Sequence, residues 1–264
     1  LAGSAHNVSG SYATGNVSGN GYTGGLVGEH ISNTIINSNA TGQIRCTGAN
    51  CGGLIGAALS YGGPILNSFA TGNVTSTSTR VGGLAGYIHT SSVIDQGSYA
   101  TGNVTGTNNI GGLVGYCNGG RINNSNYTSH SIYGGSYVGG LVGYGLGECV
   151  IRNSFSTVNV TGSAGSVGGL AGQNNRTYDS YATGTVSGGG SYVGGLIGYS
   201  TGNISNSNST GNVTNTGSYT GGLVGINYLD GGYIENSFST GNVSGRAYTG
   251  GLIGRTDLNL SCNG

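Results

Sequence analysis

One short motif, Gly-Gly-Leu followed by Val, Ile or Ala and then Gly, begins at Gly24, Gly52, Gly82, Gly111, Gly139, Gly168, Gly194, Gly221 and Gly250. The intervals are 28, 30, 29, 28, 29, 26, 27 and 29 residues. So regular a period demands an array of like units, each burying its apolar face against its neighbours. Between the motifs lies a second block, Ser-(Tyr/Phe/Asn)-(Ala/Ser)-Thr-Gly-Asn-Val-(Ser/Thr), clearest at Ser68 to Thr75, Ser98 to Thr105 and Ser237 to Ser244. Its second position reads Tyr12, Asn39, Phe69, then Tyr99, Asn126, Phe155, then Tyr181, Asn208, Phe238. The variant Leu-Ala-Gly recurs in step at Leu84 and Leu170, and the chain opens on Leu1-Ala2-Gly3. The expected organisation is one domain over 1–264, with super-repeats 1–83, 84–169 and 170–251 and a partial repeat or tail over 252–264. Because the chain opens inside a motif, its expected partner is the rest of a longer repeat chain or another copy stacked end to end as a homopolymer.

The composition agrees with such an array. Sixty glycines with a single proline and no every-third-residue period exclude collagen. Seven basic and seven acidic residues give zero formal net charge, and every one of the basic residues is Arg. Disorder driven by charge repulsion does not fit a neutral chain with a mean hydropathy of −0.06. No basic patch is available for phosphates, so nucleic acid is not an expected partner. No apolar run approaches the roughly 18 residues of a membrane-spanning helix, so no membrane span is expected. The amino terminus has neither an initiator Met nor a signal-peptide pattern.

Within the block beginning at Ser98, small or apolar residues (Ser98, Ala100, Gly102, Val104) alternate with larger or polar ones (Tyr99, Thr101, Asn103, Thr105). A period of two marks a strand with one buried face. Leu and Val of each glycine motif supply the bulk of the core, and the glycines permit corners and close backbone approach. The spacing predicts an all-β fold: a β-solenoid of about nine coils of about 28 residues, grouped as three super-repeats of three coils. Each coil would hold two or three short strands, rising about 4.8 Å to the next. A propeller blade takes roughly 40 to 50 residues, so it fits less well. Asn37, Asn67, Asn124, Asn153, Asn206 and Asn236 directly precede the block's Ser and are expected to stack as a hydrogen-bonding ladder at a corner.

The tandem Gly-Leu-(Val/Ile/Ala)-Gly units resemble the GLUG repeat of large bacterial surface proteins, among them adhesins and regions of IgA-cleaving metallopeptidases. The resemblance runs over the whole chain and implies a stalk or surface module. The His-Glu-x-x-His zinc motif of those peptidases is absent from the sequence, and no metal or cofactor is expected.

Asn-x-(Ser/Thr) occurs 14 times. Six of these sequons form one column, Asn16, Asn73, Asn103, Asn159, Asn212 and Asn242, and three more lie on the aromatic column, Asn39, Asn126 and Asn208. Both columns are expected to face outward and to carry glycans, which would offset the poor solubility of a nearly uncharged surface. Five cysteines are present. Cys46 and Cys51 span a predicted turn and Cys117 and Cys149 lie in loops of adjacent coils, so each pair suits a disulfide, the alternative being buried thiols. Cys262 is left over and is a candidate for an intermolecular bond. These features point to an extracellular or cell-surface location. Single scattered acids, of which Asp95 and Glu148 best suit a solenoid cleft, do not make a catalytic constellation, and no enzyme activity is expected.

The expected function is therefore structural: an extracellular, glycosylated β-solenoid that forms a fibre or surface stalk by end-to-end stacking. The alternative is an adhesin, or an ice- or carbohydrate-binding solenoid, presenting its outward Thr and Tyr columns. Those Thr are Thr14, Thr41, Thr71, Thr101, Thr128, Thr157, Thr183, Thr210 and Thr240.

Overall fold

A computed structural model describes residues 2–59, 62–229 and 232–258. All regular structure among them is β, arranged as five parallel sheets that run the length of the molecule, one of ten strands and four of nine. Each coil contributes one strand to every sheet, so the chain forms a β-solenoid of about nine turns. In the coil that opens the second super-repeat's block, the five strands are Val93–Asp95, Tyr99–Ala100, Val104–Thr105, Asn108–Gly111 and Val114–Asn118. They stand in the first to fifth sheets in that order.

Five strands replace the two or three expected because corners interrupt each extended run. The Asn column forms the sharpest corner: Asn37, Asn67, Asn124, Asn153, Asn206 and Asn236 all have φ between 43 and 52°. Asn tolerates this left-handed conformation better than most residues, because its short polar side chain can bond locally. The column is thus set mainly by backbone conformation. A side-chain bond between two of its members forms at Asn67 Nδ2, which donates to Asn37 Oδ1 at 2.7 Å. Gln96 and Asp179 hold the same conformation where the sequence departs from Asn, and Asn124 and Asn206 donate to Asp95 and Asp179 at 2.9 and 3.1 Å.

The corner turns the next N–H off the sheet ladder, and a buried serine column receives it. Ser38 N–H donates to Ser68 Oγ of the following coil, Ser68 N–H to Ser98 Oγ, and Ser154 N–H to Ser180 Oγ, each at 3.2 Å. The hydroxyls in turn donate to a carbonyl of their own coil, two residues back as Ser154 does to Arg152 or three back as Ser98 does to Asp95, each at 2.7 Å. Every buried group at this corner is therefore paired without a side chain larger than Ser.

The core is a set of in-register columns. Val8, Ile35, Ile65, Ile94, Ile122 and Ile151 stack along the first sheet, with Thr177 breaking the run before Ile204. Val and Ile line the third and fifth sheets, and the motif leucines from Leu26 to Leu223 are 0–1% exposed. Along the second sheet, one aromatic side chain enters the interior among the described residues. Tyr127 replaces the small inward residue of the second sheet, is fully buried, and donates its hydroxyl to Gly102 O at 2.6 Å. One extra residue between Tyr127 and Ile132, compared with Ala100 to Val104, accommodates it.

Coil length varies at the junctions. From the fourth-sheet core residue to the fifth is always four residues, as from Val81 to Ala85. From the fifth sheet to the first the chain takes as few as six residues, Ala171 to Thr177, or as many as ten, Ile55 to Ile65. The Gly-Gly-Leu arc is the invariant part, and steric need explains it. A Cβ on Gly83 would collide with the carbonyl oxygen of Gly112 in the next coil.

Candidate functional faces

The in-register stacking turns each outward sequence position into a surface column. Three faces result: one over the second and third sheets, one over the fourth and fifth, and one over the first. The four disulfide-bonded cysteines lie at the joints between them.

Across the second and third sheets every second residue points out. Asn16, Asn73, Asn103, Asn159, Asn212 and Asn242 are exposed, and five of them have a structural task. Asn16 Oδ1 accepts the backbone N–H of Gln43, Asn73 Oδ1 that of Asn103, and Asn212 Oδ1 that of Asn242, each at 2.9 Å. Asn103 and Asn159 serve Ser131 and Thr185 likewise, at 3.3 and 3.0 Å. These contacts use Oδ1 alone, and a glycan would be attached through Nδ2. The Thr column is exposed throughout, except that Thr101 is half-buried. The aromatic column does not stack continuously. Phe69 lies on Tyr99 and Phe155 on Tyr181, each with centroids 4.9 Å apart, while half-buried Asn39, Asn126 and Asn208 interrupt it at every third rung.

A second aromatic face, over the fourth and fifth sheets, was not anticipated from the repeat block. Tyr87, Tyr116 and Tyr144 stack on consecutive coils at 5.5 and 5.2 Å, Arg80 lies 4.9 Å from the Tyr116 ring, and Tyr137 meets Tyr144 edge-on. Two coils beyond Tyr144, Tyr192, Tyr219 and Tyr248 stack at 5.6 and 4.9 Å, with Tyr199 and Tyr228 beside them. Arg255 donates to the Tyr219 hydroxyl at 2.8 Å. Burial pushes the Tyr116 phenol up, with the Tyr144 side chain adding to it and Arg80 opposing; burial does the same at Tyr199. The signal was present in the sequence. Tyr stands five residues after the first motif glycine at Tyr87, Tyr116, Tyr144 and Tyr199, and two before it at Tyr22, Tyr137, Tyr192, Tyr219 and Tyr248.

The first sheet carries much of the charge. Arg121, Arg152 and Arg176 line a shallow groove of about 470 Å³ with Tyr178. Arg176 pairs with both oxygens of Glu148, at 2.8 and 3.2 Å, and Arg152 lies 4.8 Å above the Tyr178 ring and 3.9 Å from Asp179. Asp95 accepts from the Gln96 N–H, Asn123 and Asn124. Glu148 and Asp95 thus each serve a corner or an ion pair, and the structure does not bring them together as a carboxylate pair. Among the described residues no group of three or more His, Cys, Asp or Glu side chains is assembled.

Cys46 is joined to Cys51, across the turn from the third sheet to the fourth, and Cys117 to Cys149, between the fifth-sheet strand of one coil and the junction of the next. Cys262 lies outside the described residues, as do Asp230 and the sequon at Asn259. His30 is fully buried on the inward side of the fifth sheet, and both ring nitrogens lack a hydrogen-bond partner. Burial holds its pKa below the usual histidine value, and the nearby backbone of Asn33 and Ala5 offsets this only in part.

Coil, corner and columns together define a parallel β-solenoid built of short glycine-motif repeats. The family model of the GLUG motif matches the chain at residues 19–45, 134–161 and 189–214. Each match runs from the end of one third-sheet strand to the next, which is one full circuit of a coil. The chain therefore carries the GLUG motif at these three positions, and motif and solenoid together fit a repeat protein of surface or structural type. No curated protein and no solved structure matches it.

Proposed function

We propose that the protein is an extracellular structural element, a glycosylated β-solenoid that builds a fibre or surface stalk by stacking coil on coil. The observation that carries this reading is the parallel register shared by successive coils in all five sheets. Each interior strand of the five sheets pairs in parallel register with the strand one coil above and one below, and each terminal strand with one neighbour. A strand edge at either end of the described array fits a further coil of the same kind, from the same chain or another copy. At the first coil a cleft of about 460 Å³, lined by Ala5, Val8, Leu26 and Val27 together with Asn7, Ser9 and Ser11, offers the matching end surface.

Glycans belong to this reading for two reasons. Exposed Tyr, Phe and Thr columns with almost no charge make an adhesive surface. The sequon asparagines over the second and third sheets can carry a sugar on Nδ2 while Oδ1 keeps its backbone partner. Two disulfides, one within a coil and one between coils, suit an oxidising compartment.

Electron microscopy of native material, together with intact mass, tests the proposal. Filaments or a longer parent chain, and a mass well above 25.9 kDa, are the expected results. Uniform monomers at the bare mass would sink it. The exposed Thr column favours a second reading, an ice- or carbohydrate-binding face, which requires that this surface be free of glycans.

A further inference from the structure

The aromatic column of the second sheet lacks a ring at every third rung. Where two aromatic residues are neighbours their rings stack face to face, Phe69 on Tyr99 with planes 4° apart and Phe155 on Tyr181 with planes parallel, both at 4.9 Å. At the third rung an Asn stands in register between two aromatic residues. Asn39 lies between Tyr12 and Phe69, Asn126 between Tyr99 and Phe155, and Asn208 between Tyr181 and Phe238. Two rungs of a parallel sheet span about 9.6 Å. A group at the Asn level therefore lies about 4.8 Å from each wall, close to the separation at which this column's own rings stack.

Each slot is thus one six-membered ring thick. Its floor is an amide that makes no hydrogen bond among the described residues, in contrast to the ladder asparagines. Its walls reach solvent to different degrees: Tyr12, Tyr181 and Phe238 are 68%, 38% and 52% exposed, and Phe69, Tyr99 and Phe155 are half-buried. Independently of this geometry, each slot Asn begins a sequon whose Thr is exposed: Asn39 with Thr41, Asn126 with Thr128, and Asn208 with Thr210.

We propose that Asn39, Asn126 and Asn208 are seats for the first sugar of an N-linked glycan, a pyranose whose two C–H faces pack on the flanking aromatic rings. This rests on the glycosylated reading above and narrows it to three of the 14 sequons. In the attachment step the amide nitrogen attacks C1 of a sugar carried on a lipid phosphate. The N–C1 bond forms and the C1–O bond to phosphate breaks. The phosphate leaves with the electron pair, and the amide proton passes to a base of the transferase. Linked through Nδ2, the sugar ring stands roughly 2.5 Å further from the backbone than a phenylalanine ring would. It overlaps the outer part of each wall, within reach of the tyrosine hydroxyls. Seats three coils apart are separated by about 14 Å, whereas Asn73 and Asn103, on adjacent coils, are about 4.8 Å apart and crowd two glycans.

Site-by-site glycopeptide mass spectrometry of the native chain, with enzymatic deglycosylation in oxygen-18 water to mark each occupied Asn, is the first arm. It should find Asn39, Asn126 and Asn208 occupied. The second arm measures stacking: ring protons of the first sugar should be shifted upfield in the NMR spectrum by the aromatic faces. Glycan removal should also lower the Tm of the native protein by a few degrees, and by less in the Tyr99→Leu/Phe155→Leu variant, whose Asn126 sequon is intact. Should the double variant fail to fold, Phe155→Leu alone and the NMR shift serve. Sugars confined to the ladder column, with the three slots bare, would overturn this proposal and leave the glycosylated rod standing. Occupied slots with no upfield shift and a deglycosylation effect unchanged by the wall variants would also overturn the seat alone. A chain at its bare mass would remove the glycosylated reading and the seat together.

Discussion

The two halves of a coil reach the same spacing by opposite means. On the glycine side, the arc from the fourth sheet to the fifth keeps one length in every coil, and its backbone passes so close to its neighbours that no side chain fits at Gly82 or Gly83. On the serine side, from the first sheet to the third, the backbone bends at a left-handed residue and the resulting orphan N–H is met by a side chain, Ser to Ser up the rod. Sterics specify the first half and hydrogen bonding specifies the second. The contrast teaches why the glycine motif repeats nearly without error while the other block tolerates Asn, Tyr or Phe at one position, Ala, Ser or Tyr at the next, and an inserted residue before Ile132.

If that division is right, the largest single effect lies on the glycine side. Gly83→Ala places a methyl against the Gly112 carbonyl and Ala100, backbone and packed core that cannot retreat without parting two coils. A loss above about 4 kcal/mol is expected, read as collapse of hydrogen-exchange protection in the coils on both sides. An effect below about 1 kcal/mol would break the comparison. On the serine side the same test is milder. Ser154→Ala removes the acceptor of the buried Ser125 N–H but leaves the Arg152 carbonyl with the Asn124 N–H. The orphaned donor costs about 2 kcal/mol, measured by urea unfolding, and protection should fall at Ser125 first.

The third effect is a pH dependence confined to one end. His30 is buried in the first coil between Ala5 and Ala58 of neighbouring strands, with a lowered pKa caused chiefly by burial. The charge of His6 adds a smaller effect in the same direction. Above the unfolded value near 6.5 both states are neutral and stability does not depend on this residue. As pH falls below it the unfolded chain takes up a proton that the folded coil refuses. Stability then declines by at most about 1.4 kcal/mol per pH unit. Hydrogen exchange at pH 7.5 and 5 should show the first two coils loosening and the central coils unchanged, and His30→Leu should abolish the difference. Equal loosening of all coils would show that the acid effect has another origin.

Most of the fold was legible because its causes are periodic. Coil number, the inward set Ser98, Ala100, Gly102 and Val104, and the outward sequon column follow from one alternation and one repeat length. What sequence reading missed has causes that periodicity does not display. The left-handed corner at Asn67 and its neighbours is a backbone state, so an expected side-chain ladder turned out to be mainly a conformational preference. Tyr127 occupies a position that reads as small in other coils, and only the extra residue before Ile132 betrays the room made for it. The tyrosine face combines residues two before and five after the motif glycine, present in some coils only. Folding, and not spacing along the chain, brings Tyr137 against Tyr144 and Tyr192 beside Tyr199. For the slots at Asn39, Asn126 and Asn208 the Tyr-Asn-Phe order was visible, but the face-to-face orientation that makes walls of the rings was not.

The smallest expected effect gives the sharpest separation of conformation from hydrogen bonding on the serine side. Asn153 sits at the corner with φ 47° and is exposed, and its side chain makes no hydrogen bond among the described residues. Replacing it tests the backbone alone. Asn153→Ala should cost about 1 kcal/mol, the penalty of holding an ordinary side chain in the left-handed region. Asn153→Gly should change stability by less than about 0.5 kcal/mol, since glycine adopts that region freely and loses only some chain entropy in exchange. Denaturant unfolding of the two variants side by side measures the difference. If Ala and Gly cost the same, the corner is held by contacts of the Asn amide, and the serine side of the coil is specified by hydrogen bonds at both of its residues. If Ala costs more, as the φ angles require, the serine side rests on one conformational choice and one hydrogen bond, each replaceable without parting two coils. That is the property by which it differs from the glycine side.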